Sequence, residues 1–105
     1  MDLKILWTDF AKTELNRIHI FYLDHAGSRI AKNETKKIAK ATLLLKKKPE
    51  IGQVEEFLKG RSHEFRYLVH QSFKIIYWIN WELNQVEIVD VFHTRQNPKK
   101  MKRTK

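Results

Sequence analysis

The chain has 105 residues, a formal net charge of +9 from 21 Lys and Arg against 12 Asp and Glu, and no cysteine. That length holds one domain, and 42% apolar residues with only three Gly and two Pro describe a folded chain and not a disordered one. The missing cysteine excludes disulfides, thiol nucleophiles and thiolate metal sites, and the positive excess favours polyanionic partners.

Lys4 to Trp7 is a short apolar strand candidate. Thr8 and Asp9 then read as a helix start, a hydroxyl cap followed by an acid at the positive end of the dipole. Phe10, Ala11, Leu15, Ile18, Phe21 and Tyr22 recur at spacings of three and four and form one apolar stripe, which Gly27 ends. Ser28 can cap a second helix from Arg29 to Lys47, whose apolar side is Ile30, Ala31, Ile38, Ala41, Thr42 and Leu45. Lys46, Lys47 and Lys48 sit at its negative end and Pro49 stops it. So short a connection predicts an antiparallel helical hairpin.

Glu50 to His63 shows no period and reads as a loop with room for one helical turn; its acids Glu55 and Glu56 read as a solvated pair. Glu64–His70, Phe73–Trp81 and Gln85–His93 are rich in β-branched and aromatic residues and separated by short turns, which predicts a meander. The order β-α-α-β-β-β gives an α+β fold, an antiparallel meander with an N-terminal strand and the helical hairpin on one face. From Arg95 to Lys105 there are six basic residues and no acid, a basic tail; the rest of the chain is only mildly basic. The start of the chain carries Asp2 and Lys4 and leads into no long apolar run, and the longest nearly apolar stretch, Ile75 to Ile79, is too short to span a bilayer. A cytoplasmic protein without a membrane partner is the expectation.

Several local phrases point to a family. They are Trp7 leading into the first helix, the Pro49-Glu50-Ile51-Gly52 turn, Phe65-Arg66-Tyr67-Leu68, Lys74-Ile75-Ile76-Tyr77, and the run from Ile88 to Pro98 that contains Asp90, His93 and Arg95. In this order and at these intervals, over almost the whole chain, they resemble the RelE/ParE superfamily of toxins from type II toxin–antitoxin systems. The resemblance implies about four strands with two helices on one side and a cognate antitoxin. It also implies a toxin–antitoxin hetero-oligomer and growth arrest when the antitoxin is lost. It further implies one of two activities. RelE-like members cut mRNA in the ribosomal A site without a metal; ParE-like members block DNA gyrase with no chemistry of their own. Val91 to Pro98 is closer to the ParE-like branch, so gyrase inhibition is the favoured reading. An mRNA endonuclease is the alternative, and a protein that only binds nucleic acid is the third. The acidic antitoxins usual in such pairs would complement the basic charge.

Metal-free RNA cleavage needs a base, cations near the phosphate and an acid for the leaving oxygen. With Gln71-Ser72 as a two-residue turn and Glu82 to Gln85 as a four-residue one, Arg66, Tyr77 and Asp90 lie across from one another on one face. Lys74 then lies between Val69 and His93 on the other. The first group reads as a structural polar cluster. Lys74 and His93, with Arg95 beside them, form the catalytic set if the chain is a nuclease, since some RelE-like enzymes place a cation and a His at these positions. Arg61, Arg66, Arg95, Lys99, Lys100, Lys102 and Arg103 are candidates for binding the target or a phosphate. Phe73, Tyr77, Trp78 and Trp81 read as an aromatic core cluster, with Trp81 near a turn where a partner could dock. The five His show no metal-ligand spacing and the three Gly are far apart, so neither metal nor cofactor is expected.

Overall fold

The computed structural model describes residues 2–104. Its regular elements are β1 (Lys4–Trp7), α1 (Asp9–Ala26), α2 (Ser28–Ala41), β2 (Gln53–Val54), β3 (Arg66–His70), β4 (Phe73–Asn80) and β5 (Gln85–His93). Short 3₁₀ turns occupy Thr42–Lys46, Pro49–Ile51, Glu56–Leu58 and Pro98–Arg103. The five strands form one sheet in the order β1-β5-β4-β3-β2. β1 runs parallel to β5 and the other pairs are antiparallel. A parallel pairing needs a long crossover, and the helical hairpin lies within the one that joins β1 to the rest of the sheet.

Thr8 and Gly27 act as read, but Ser28 does not cap the second helix: it is the first residue of α2, with Gly27 at the cap position and no side-chain cap bond. Thr8 Oγ1 accepts from the Ala11 amide at 3.2 Å, and Gly27 takes φ +91° between the helices. α2 is shorter than expected. Its last turns tighten at Thr42, whose hydroxyl donates back to the Ala39 carbonyl at 2.7 Å, the local competition that loosens a helical ladder. The tightened segment buries Leu45 and turns the Lys46 carbonyl to the Leu3 amide at 2.9 Å, which anchors the approach to β1. The expected loop before β3 contains two 3₁₀ turns and the two-residue β2.

Two cores flank the sheet. On the helix side, Ala11, Ile18, Ile38 and Leu45 pack on Ile75, Tyr77, Val86, Ile88 and Val91. On the other side, Leu58, Phe65 and Met101 cover Ile76, Val89 and Phe92. This explains why β4 and β5 are apolar on both faces. It also corrects the reading of residues 95–105 as a tail: Met101 is buried and Pro98–Arg103 is a packed 3₁₀ helix.

The β3–β4 register follows the two-residue turn, with Arg66 opposite Tyr77 and Val69 opposite Lys74. The β4–β5 register does not follow the expectation. The loop is Trp81–Asn84, one residue earlier, with Asn84 at φ +50°, a conformation Asn tolerates. A bulge then inserts Val89 as an extra residue, so Tyr77 faces Ile88 and Ile76 faces Asp90. Lys74 faces Phe92, and His93 faces Phe73. One inserted residue sends everything after it to the opposite face.

Candidate functional site

Arg66 and Tyr77 stay together and pin the turn that follows α2. Tyr77 is fully buried; its hydroxyl donates to the Pro49 carbonyl at 2.7 Å and accepts from the Gly52 amide at 2.9 Å. Arg66 donates to the carbonyls of Gly52 at 2.8 Å and Glu50 at 3.2 Å and pairs with Glu64 at 3.0 Å. Burial pushes the Tyr77 phenol above its usual value near 10, against the Gly52 amide and the Arg66 charge, which pull it down. A raised folded value means the unfolded chain ionises first, so stability contributed by neutral Tyr77 is full below pH 10 and falls as pH rises beyond it. Tyr77→Phe is expected to flatten that alkaline loss in urea melts; an unchanged slope would contradict it.

Asp90 leaves this cluster because of the bulge. It is fully buried and accepts from Arg103 Nε and Nη2, both at 3.2 Å, and from the Thr104 hydroxyl at 2.8 Å. Arg103 Nη1 continues to Glu14 of α1 at 3.1 Å, and Glu14 also holds Arg17 at 3.2 Å. The guanidinium lies 5.3 Å from the Phe92 ring centre. Arg61 donates to the carbonyls of Thr104 and, at 3.0 Å, Lys102. Arg61, Arg66 and Arg103, expected to meet a target, are thus engaged in contacts within the fold and are only partly exposed. Arg95, Lys99, Lys100 and Lys102 remain exposed.

Lys74 and His93 do not converge. Lys74 lies on the face away from the helices, 2.9 Å from Glu55 and 4.2 Å above the Tyr67 ring. Glu55 is 2% exposed and also accepts from the Phe57 amide at 3.3 Å. The expected solvated acidic pair is therefore split: Glu56 alone is exposed, bound to Lys59 at 2.8 Å. Its hydrogen bond and charge raise the Lys59 ammonium above its usual value. No periodic signal in the sequence marks Glu55 as buried.

His93 faces the helices, edge-on to Phe73 at 5.0 Å. Its Nδ1 accepts from the Arg95 amide at 3.1 Å, which leaves the proton of the neutral ring on Nε2. With Arg17, Phe21, Tyr22, Gln96 and Arg103 it lines a cleft of about 320 Å³, near the lower limit for small-ligand sites. The aromatic cluster is also dispersed. Phe73 and Tyr77 are in the helix-side core, Trp78 stacks on His63 at 3.6 Å on the other face, and Trp81 is exposed.

A wider feature lies along β1. β1 is an outer strand, and the amides of Lys4 and Thr8 point inward to Asn84 and Ile88. Alternation directs the amides of Ile5 and Trp7 outward, as on an open sheet edge. Beside them runs a groove of about 730 Å³ lined by Ile5, Leu6, Trp7, Leu15, His19 and Thr35. Among the described residues no group of three His, Asp or Glu is placed to hold a metal ion, and no helix is long and apolar enough to cross a membrane.

A comparison with curated proteins gave no match. Among solved structures, the fold is similar to a chain described as the chromosomal ParDE TA system from P. aeruginosa. The TM-score is 0.73 at 16% identity, over 89% of this chain and 97% of that one. The family model for the ParE toxin of the type II toxin–antitoxin system, parDE, matches residues 5–98. The open-edged sheet, its helical hairpin and the terminal Asp90–Arg103 clasp are thus the form taken here by a member of the ParE toxin family of type II toxin–antitoxin systems.

Proposed function

We propose that this chain arrests growth by binding and inhibiting DNA gyrase, and that a cognate acidic antitoxin neutralises it. The observation that carries the choice of target is the separation of Lys74 from His93. A nuclease needs its proton-transfer group and its phosphate-binding cation around one scissile bond. Here they lie on opposite faces of the sheet, and the cation is held by a buried carboxylate. Inhibition by binding makes no such demand. Membership of the ParE family favours the same branch.

The β1 edge supports a place for the antitoxin contact. An added strand would satisfy the outward amides of Ile5 and Trp7, and an apolar helix or side chain would fill the adjoining groove. The chain's +9 charge suits an acidic partner.

Expression in a bacterial host without antitoxin is expected to arrest growth, induce the DNA-damage response and leave transcripts whole. His93→Ala is expected to keep the arrest. Transcripts cut within codons, with cleavage lost in His93→Ala by about a hundredfold or more, would instead establish the endonuclease.

A further inference from the structure

The positive charge is concentrated in a second place besides the C-terminal segment. Residues 28–48 carry eight Lys and Arg against the single acid Glu34, a net +7 of the chain's +9. α1, by contrast, has three acids and two basic residues. Within α2, Arg29, Lys32, Lys36 and Lys40 recur at spacings of three and four and fall in one stripe. That stripe lies opposite the buried Ala31 and Ile38, and all four side chains are exposed. Glu34 is engaged with Lys37 at 3.5 Å. Among the described residues none of the four stripe cations makes an ion pair, nor do Lys46, Lys47 and Lys48 at the helix's far end.

A solvated helix face gains by interleaving acids with its lysines, because like charges four residues apart repel. This face does the reverse, and among the described residues no ion pair offsets the repulsion. It also has no aromatic residue, whereas protein interfaces deplete Lys and rely on aromatic anchors. The apolar groove beside β1 is where such anchors lie. A single-stranded nucleic acid would want stacking platforms, which the stripe lacks. What remains is a row of long cations along one helix. From Arg29 to Lys40 it is about 16 Å long at a rise of ~1.5 Å per residue. That length covers about five phosphates of one duplex strand at ~3.4 Å of axis each.

We propose that the outer face of α2, through Arg29, Lys32, Lys36 and Lys40 and extended by Lys46–Lys48, binds the phosphate backbone of duplex DNA without sequence preference. The site is independent of the gyrase-binding reading and of the β1 edge.

The test is fluorescence anisotropy of the full chain with a labelled 20-base-pair DNA duplex, titrated with salt. The triple variant K32Q/K36Q/K40Q is expected to lower the slope of log affinity against log salt by about three, at ~0.9 per phosphate contact. At about 0.15 M salt that is a loss on the order of a hundredfold. Its thermal midpoint is expected to equal or exceed that of the unsubstituted chain, because repulsion is relieved, so a folding defect cannot imitate the result. A charge-matched control, K4Q/K12Q/K59Q, is expected to keep most of the slope. The proposal is overturned if the unsubstituted chain does not bind the duplex at about 50 mM salt. It is equally overturned if the loss follows K99Q/K100Q/K102Q instead, or if a poly-glutamate peptide binds α2 as tightly as DNA does, which would assign the stripe to an acidic protein.

Discussion

Asp90→Ala is expected to destabilise the protein by about 3 kcal/mol and to release the C-terminal segment. Removing one member of a buried ion pair costs several kcal/mol because the other charge loses its partner. The lower part of that range applies, since Arg103 keeps Glu14 at 3.1 Å and is partly exposed. Thr104 is 1% exposed and loses the acceptor of its hydroxyl, and Met101, one turn earlier, loses the clasp that holds it in the second core. For a domain of this size such a loss lowers the thermal midpoint by about 12 °C or more. Urea melts would measure it, and limited trypsin digestion should show faster cleavage after Lys99, Lys100 and Lys102. A midpoint within a degree of the parent would mean that the clasp contributes nothing.

Gly52→Ala is expected to be comparably severe for a different reason. Gly52 has an ordinary extended backbone, so conformational freedom is not what the position requires; space is. A Cβ there would collide with the Tyr77 hydroxyl and come within 2.8 Å of the Tyr67 carbonyl oxygen. Overpacking costs about 1–3 kcal/mol. Displacing Tyr77 would also strand the Gly52 amide and the Pro49 carbonyl, at roughly 1–3 kcal/mol for each buried group left unpaired. The total is expected to be about 3 kcal/mol or more. The double variant G52A/Y77F should recover part of it, because the phenylalanine ring withdraws the oxygen that the new methyl meets. Additive costs in that cycle would show that the two positions are not coupled.

Most of the scaffold was legible because its signals are local. Thr8, Gly27 and the three-and-four spacing in α1 each specify a backbone choice within a few residues. The β3–β4 register was equally legible, since a two-residue turn fixes it. The β4–β5 register was not. Val86, Ile88, Val89, Val91 and Phe92 are apolar on both faces because both faces are covered, so alternation carries no register there. The bulge at Val89 leaves no compositional mark. That one residue separates Asp90 from Tyr77 and His93 from Lys74, which is why the site differs from its expectation more than the fold does.

The C-terminal segment offered one signal that was outweighed. Met101 is the single large apolar residue in Pro98–Lys105, and its burial organises the run that charge alone presents as a tail. Glu55 offered none: its burial depends on Lys74 from a strand nineteen residues away. The β1 groove arises between elements and has no sequence pattern of its own.

The most direct test of the central claim is a supercoiling assay with purified DNA gyrase and relaxed plasmid. The full chain is expected to block supercoiling in a dose-dependent way, and a stoichiometric amount of its antitoxin should restore it. Undiminished supercoiling at a large molar excess of the chain, with mRNA cleaved when the same preparation is added to translating ribosomes, would contradict it.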